Sequence, residues 1–337
     1  MAKLVKLADV AQVVGVSAVT VSKALAGKSG VSEELRDKIK QIADEMGYIS
    51  LSASKSSVSQ NTGNIGIVLA AHFLDVPISF YWKLYQHVIS RLSEKNYFAI
   101  LEIISTEAEK NIEIPNIIKE EKVDGIVVIG QMQKPYADYL IRKTDIPVFF
   151  LDSYFAVDNY DTVISDGFLG TYLLTSHLIE NGHRDIAFLG TIKVTSSITD
   201  RYFGYYKALL ENNIPFRPEW IIPDREENGN NLEDYELPDE LPTAFVCNCD
   251  LTANNLILQL EFLGMNVPED ISVVGFDNYT HRNRKLKKVT TYEVEMSKMA
   301  EVCVESLLKK IAGCAYPKGI QVIPGKLLCK ETVRKRS

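Results

Sequence analysis

Several residues that could bind a small polar molecule stand at the ends of short apolar runs: Phe80-Tyr81-Trp82, Asp152, Asp166, Arg201, Asp250 and Asp277. Carboxylates and a guanidinium bond vicinal hydroxyls in fixed geometry, and aromatic faces cover the C–H surface of a ring, so together they have the chemistry of a sugar pocket. Taken singly, an Asp at a strand end is as well explained by a helix cap, and a loop aromatic by rim packing; the set together points to a ligand site. Asp277 with Arg201 favours a neutral polyol over a purine.

A second cluster lies near the N-terminus. Leu7, Val10, Ala11 and Val14 recur at helical spacing, Gly15 supplies a turn, and Ser17 is placed to cap a second helix. In that helix Val21, Ala24 and Leu25 point inward, leaving Ala18, Val19, Ser22, Lys23 and Ala26 on the exposed face. A third helix from Ser32 carries Glu33 and Glu34 near the positive end of its dipole, buries Leu35, Ile39, Ile42 and Met46, and ends at Gly47. Helix, turn, helix and packing helix form the helix-turn-helix layout, whose second helix enters the major groove. The same pattern would also serve a three-helix interaction module that never meets DNA.

The elements that position the first set alternate from Ile65 onward. Runs 65–70, 98–104, 125–129 and 147–151 read as buried parallel strands, with helices near 80–95, 107–121 and 134–143. Strands at 186–190, 244–247 and 272–276 follow, with helices near 167–181, 200–212, 251–264 and 296–312. Two doubly wound lobes of this kind make a hinged clamshell, with ligand beyond the carboxyl ends of the strands. The fold class is therefore α/β with a small helical domain in front.

Composition agrees. The chain has 337 residues, 46% hydrophobic and 24% charged, with net charge −7. An acidic total argues against a general nucleic-acid binder, but residues 1–60 carry eight Lys/Arg against six Asp/Glu, which leaves −9 for the rest. Five cysteines, Cys247, Cys249, Cys303, Cys314 and Cys329, lack metal spacing and read as reduced thiols, so no metal or cofactor is expected. No signal peptide or membrane-length apolar run is visible, and the expected location is the cytoplasm. A Walker loop and a nucleophile elbow are also missing, the five histidines are scattered, and an enzyme is not expected. His183, in the turn Gly182-His-Arg, is expected to be structural.

The wording of the N-terminal segment narrows the choice. Leu7-Ala-Asp-Val-Ala-Gln, Gly15-Val-Ser17-x-x-Thr20-Val21-Ser22-Lys23-x-Leu25-x-Gly27, Val31-Ser32 and Gly47-Tyr48 resemble the headpiece of the LacI–GalR repressor family. Further stretches resemble that family's body: Val163-Ile-Ser-Asp166, Gly182-His-Arg-x-Ile186, Arg201-x-x-Gly204, Pro242-Thr-Ala, Val267 to Asp277, and Val289-Thr-Thr291. The resemblance implies a headpiece over 1–49, a Ser-rich hinge over 50–61 and a periplasmic-binding-protein-like effector and dimerisation domain over 62–330. It implies DNA contacts from Lys6, Leu7, Ser17, Ala18, Val19, Thr20, Ser22 and Lys23, with Lys55 in the hinge. Phe80, Tyr81, Asp152, Arg201 and Asp277 would touch the effector, and Asp250 would support them.

The chain departs from the family pattern in three places. Lys23 and Ala26 stand where the family usually has Arg and Asn, and Arg and Lys present different donors to guanine. In the hinge, Ser54, Lys55 and Ser57 replace the family's Ala, Arg and Leu, so the apolar wedge that offsets unstacking is missing, with Val58 one position late. Residues 224–235 are acidic and loop-like where the family has Gly-Asp-aromatic; Tyr235 is the available aromatic.

The function expected is a homodimeric, DNA-binding transcription regulator, by family default a repressor, of carbohydrate-metabolism genes. It would bind a palindromic operator under allosteric control by a sugar-like effector. The rivals are a solute-binding protein, which should carry an export signal and no helix-turn-helix, and a sugar sensor that acts mainly through a protein partner.

Overall fold

The structure is a computed structural model that describes residues 7–25, 29–46, 61–73, 80–155, 160–226, 230–279 and 287–336. Lys6, Ala26, Gly27, Gly47, Tyr48 and the hinge residues 50–60, with Ser54, Lys55, Ser57 and Val58, lie outside the described residues. The chain divides into two compact units, Met1–Thr62 and Gly63–Ser337.

The first unit contains α1 (Leu7–Val14), α2 (Ala18–Leu25) and α3 (Glu33–Glu45). Its core is Val10, Ala11, Val21, Ala24, Ile39 and Ala43, all buried, with Leu7, Leu25, Leu35, Ile42 and Met46 packed around it. Gly15, at φ +79°, makes the turn, and the chain bends by 102° between the first two helices. Ser17 caps α2: its Oγ accepts the Thr20 N–H at 3.1 Å and lies 2.9 Å from the Thr20 hydroxyl.

The second unit begins with β1 (Asn64–Ala70), a 3-10 turn (Ala71–Phe73), α4 (Phe80–Glu94), β2 (Phe98–Ile104), α5 (Thr106–Lys110), α6 (Asn116–Lys119), β3 (Gly125–Ile129), α7 (Lys134–Lys143), β4 (Val148–Leu151) and β5 (Thr162–Ser165). It continues through α8 (Gly167–Glu180), β6 (Ile186–Leu189), α9 (Ser196–Glu211), β7 (Ile221–Ile222), β8 (Ala244–Cys247), α10 (Asp250–Phe262), β9 (Ser272–Asp277), β10 (Thr290–Glu293), α11 (Met296–Ile311), β11 (Ile320–Ile323) and β12 (Lys326–Leu328).

Two sheets form, ordered β11-β5-β4-β3-β1-β2 and β12-β10-β9-β8-β6-β7. Every pairing is parallel except β10 with β12. Parallel sheets are covered on both faces, which is why β1, β3 and β9 are almost continuously apolar and buried.

Two sequence expectations change. The single helix near 107–121 is two short helices, because Pro115 has no N–H to donate and Ile112 adopts φ +56°. The lobes are not successive halves of the chain either. After β5 the chain crosses to the second sheet, after β10 it returns so that α11 packs on α4, β3 and β4, and after β11 it crosses again. The crossings touch: Asp166 N–H donates to Ile323 O at 3.1 Å and Gly325 N–H to the Tyr292 hydroxyl at 2.6 Å. The ordered body also runs past Lys330. Arg336 N–H donates to Asn181 O at 2.7 Å, and His183 Nε2 lies 3.1 Å from Arg334 O, so His183 anchors the C-terminal segment.

Candidate effector cavity and DNA-facing helix

A cavity of about 830 Å³ opens between the lobes at the carboxyl ends of both sheets. That volume lies within the usual range for small-molecule sites. Phe80 and Tyr81 enter from the first turn of α4, which is anchored by Leu84, Val88 and Leu92 against the first sheet. Phe73 lies beside Tyr81, their rings 4.2 Å apart and tilted by 42°, while Phe80 meets Tyr81 edge-on at 89°.

Asp152 follows β4 and Asp277 ends β9, and both adopt left-handed backbone conformations, φ +66° and +99°. Non-glycine residues are strained there, and such strain concentrates at functional sites. Arg201, in the second turn of α9, is buried. Its Nη1 donates to Asn248 O at 2.8 Å and to Asn248 Oδ1 at 3.2 Å, its Nη2 donates to Asp277 Oδ1 at 3.2 Å, and its guanidinium lies 3.9 Å from the centre of the Phe276 ring.

Burial disfavours the charged form of each carboxylate. It pushes Asp152 up to about 7, opposed by Arg201 and by the hydrogen bond from Tyr81, while Asp277 adds to the rise. Asp277 is also raised, because burial outweighs the attraction of Arg201 and Arg225. Asp250 is raised by burial and by Asp277. The site can therefore offer hydroxyl groups both charged acceptors and, near neutral pH, a protonated carboxyl donor.

The structure brings Phe80, Tyr81, Asp152, Arg201 and Asp277 into one cavity wall. Asp250 is not in the wall; it is buried and accepts the N–H of the wall residue Tyr279 at 2.9 Å. Asp166 is not in the wall; its Oδ1 caps α8 by accepting the Leu169 N–H at 2.9 Å. Tyr235 does not substitute for the closing aromatic. It is buried in the second lobe's core, where its N–H donates to Gln259 Oε1 at 3.0 Å and its carbonyl accepts from Gln259 Nε2 at 2.8 Å.

Asp224, Arg225 and Asn248 escaped the sequence argument. Asn248 follows β8 as the strand-end rule requires, but its neutral amide carries no charge to mark it in the sequence. Asp224 and Arg225 follow β7, whose two residues are too few to show a period. Asp224 is fully buried, and its oxygens accept from Thr191 N–H (2.8 Å), Asn248 Nδ2 (3.1 Å) and Thr252 Oγ1 (3.2 Å), tying three strand ends to α10.

Beside the cavity the lobes are bridged. Ser196 N–H donates to Gln131 Oε1 at 2.8 Å, and the Tyr154 hydroxyl donates to Asp200 Oδ1 at 2.7 Å.

In the first unit, Ala18, Val19, Ser22 and Lys23 lie exposed on one side of α2, opposite buried Val21 and Ala24. Thr20 is half-buried and bonded to Ser17; Leu7 is half-buried against the small core.

Residues 6–50 match the family described as bacterial regulatory proteins, lacI family, and residues 175–333 match the periplasmic binding protein-like domain. The HTH-type transcriptional repressor PurR of Actinobacillus pleuropneumoniae serotype 3 (strain JL03) is 30% identical over 314 residues, 90% of each chain. The chain belongs to the LacI family. The lac repressor dimer bound to operator and the anti-inducer ONPF has a similar structure, with TM-score 0.70 at 25% identity over 98% of this chain and all of that one. The transcriptional regulator CelR–cellobiose complex has TM-score 0.70 at 22% identity, covering 97% and 99%. As a LacI-family member the protein is a DNA-binding transcriptional repressor and not an enzyme. Among the described residues no single helix is long and apolar enough to cross a membrane.

Proposed function

We propose that this repressor controls carbohydrate-metabolism genes and that a sugar-like effector in the cavity sets its operator affinity. The observation that carries the proposal is the Arg201–Asp277 pair facing Asp152 across a cleft walled by Phe73, Phe80 and Tyr81. Vicinal hydroxyls suit this arrangement, since each needs an acceptor and a donor at fixed separation. The Phe73–Tyr81 and Phe80–Tyr81 ring centroids lie 4.2 and 5.3 Å apart, which leaves no room for a purine to be sandwiched within either pair. A cellobiose-bound relative in fold supports the sugar class.

On the DNA side, Ala18, Val19 and Lys23 read base edges while Ser17, Thr20 and Ser22 meet the backbone or groove wall; Lys6, Leu7 and Lys55 add flanking contacts. Two copies act together on a palindromic operator; the lac repressor, similar in structure, binds its operator as a dimer. Effector binding changes the angle between the lobes, and the hinge transmits this to the headpieces. By linkage, operator then weakens an inducing sugar by the factor that the sugar weakens operator.

Selection of bound sequences from a random duplex pool, with and without a panel of sugars and a purine base, tests all of this. A palindrome whose enrichment shifts with one sugar supports the proposal. A shift with the purine alone removes the sugar class, and no enrichment at low salt, where phosphate contacts are strongest, removes the headpiece assignment.

A further inference from the structure

Arg225 is a second guanidinium in the cavity wall, delivered there by β7. Its backbone is fixed: the N–H donates to Thr191 Oγ1 at 2.9 Å, and the residue bridges to Asn231. Its side chain is 19% exposed, and its Nε is buried without a hydrogen bond. Among the described residues its charged partner is Asp224, 3.7 Å away, beyond hydrogen-bond reach. Asp224 has little left to offer, because its oxygens already accept from Thr191, Asn248 and Thr252.

The charge of Arg225 is felt inside the cleft, where it opposes the burial-driven rise of Tyr81, Cys249 and Asp277. Arg201 also has a buried, unbonded Nε, but Asn248 and Asp277 already occupy its terminal nitrogens, and that is where the two guanidinium groups differ. A half-buried cation with unused donors is unfavourable unless something supplies acceptors.

We propose that Arg225 receives an anionic group of the effector, which makes the ligand an acidic sugar: a sugar phosphate or a sugar carboxylate. Paired anionic oxygens match a guanidinium fork and give stronger bonds than neutral hydroxyls do. This inference rests on the sugar-effector proposal and narrows it, replacing the neutral polyol that Arg201 and Asp277 alone favour. The carboxylates that would oppose an anion are accounted for. Glu233 and Asp234 line the cavity but are exposed, where water and salt screen them; Asp277 is matched by Arg201; and Asp152 is only partly ionised near neutral pH.

The test is calorimetric titration of the full-length protein with matched ligands: a neutral hexose or disaccharide, its phosphate ester, and its uronic acid. One acidic form should bind about tenfold or more tightly than its neutral counterpart, and which one does so distinguishes phosphate from carboxylate. In Arg225→Met that ratio should fall by about tenfold or more. Arg225→Lys, which keeps the charge and loses the fork, should retain part of it, with thermal melting as the check on folding. Neutral sugars binding as tightly as acidic ones, or an unchanged ratio in Arg225→Met, overturns this inference and leaves the sugar proposal standing. Binding by no sugar of either kind overturns both.

Discussion

Thr191 and Asp224 bond each other in both directions: the Thr191 N–H donates to Asp224 Oδ1 at 2.8 Å, and the Asp224 N–H donates to Thr191 Oγ1 at 2.9 Å. The exchange locks the end of β6 to the end of β7. Through Asn248, Asp224 also sets the carbonyl and side chain that hold Arg201. A buried residue with no place in the cavity wall thus aligns two guanidinium groups that are in it.

Asp224→Ala leaves the Thr191 N–H, the Asn248 amide and the Thr252 hydroxyl without their acceptor. Each orphaned buried donor costs about 1–3 kcal/mol, so a loss of at least about 2 kcal/mol is expected in denaturant unfolding. Effector affinity should fall with it. A stability change within about 0.5 kcal/mol would show that water or a neighbour replaces the carboxylate.

Arg201→Met leaves Asp277 buried without its cation. Breaking a buried pair by removing one partner costs about 3–5 kcal/mol, less here to the extent that Asp277 takes up a proton. Asp277→Asn in the same background should recover part of that stability, while effector binding stays lost. Additive losses in the double variant would mean that the two residues do not act as a pair.

The pH dependence follows from Asp152. Its carboxyl is raised from the ordinary 3.8 to about 7 in the folded protein by burial. Below about pH 4 it is protonated folded and unfolded and does not affect stability. As pH rises from about 4 to 7 the unfolded chain releases this proton while the folded protein keeps it, so stability falls across that window and levels off above. The full effect is on the order of 4 kcal/mol. Urea unfolding of wild type and Asp152→Asn from pH 5 to pH 8 measures it: the wild-type value should drop further with rising pH, and parallel curves would sink the assignment.

At the lobe crossing, a Cβ on Gly325 would lie 2.0 Å from Glu293 O and 2.6 Å from the Tyr292 ring. Gly325→Ala must push two crossing segments apart, at a cost of about 1–3 kcal/mol. The shift in melting temperature should come with altered effector affinity, since these segments join the lobes. A melting temperature equal to wild type would mean that the crossings separate freely.

Lys23→Ala removes an exposed cation from α2. Operator affinity should fall by about 1–3 kcal/mol, with effector affinity in the absence of DNA unchanged, by fluorescence polarisation and titration respectively. Equal operator affinity would place the recognition surface elsewhere.

Local chemistry made much of this protein legible in its sequence. The helical spacing of Val10, Ala11, Val21 and Ala24, the Gly15 turn and the Ser17 cap set the headpiece, because each acts over a few neighbouring residues. Apolar runs bounded by polar turns marked the strands, and the rule that ligands sit beyond strand ends picked out Asp152 and Asp277. What only the tertiary structure decided depends on contacts between residues far apart in the chain. The return of α11 to the first lobe and the burial of Tyr235 are of this kind. So is the placing of Arg225 in the cavity by a strand of two residues, too short to have a period of its own. β7 exists because Phe188 and Leu189 of β6 offer it a partner, and no spacing within residues 218–226 carries that information.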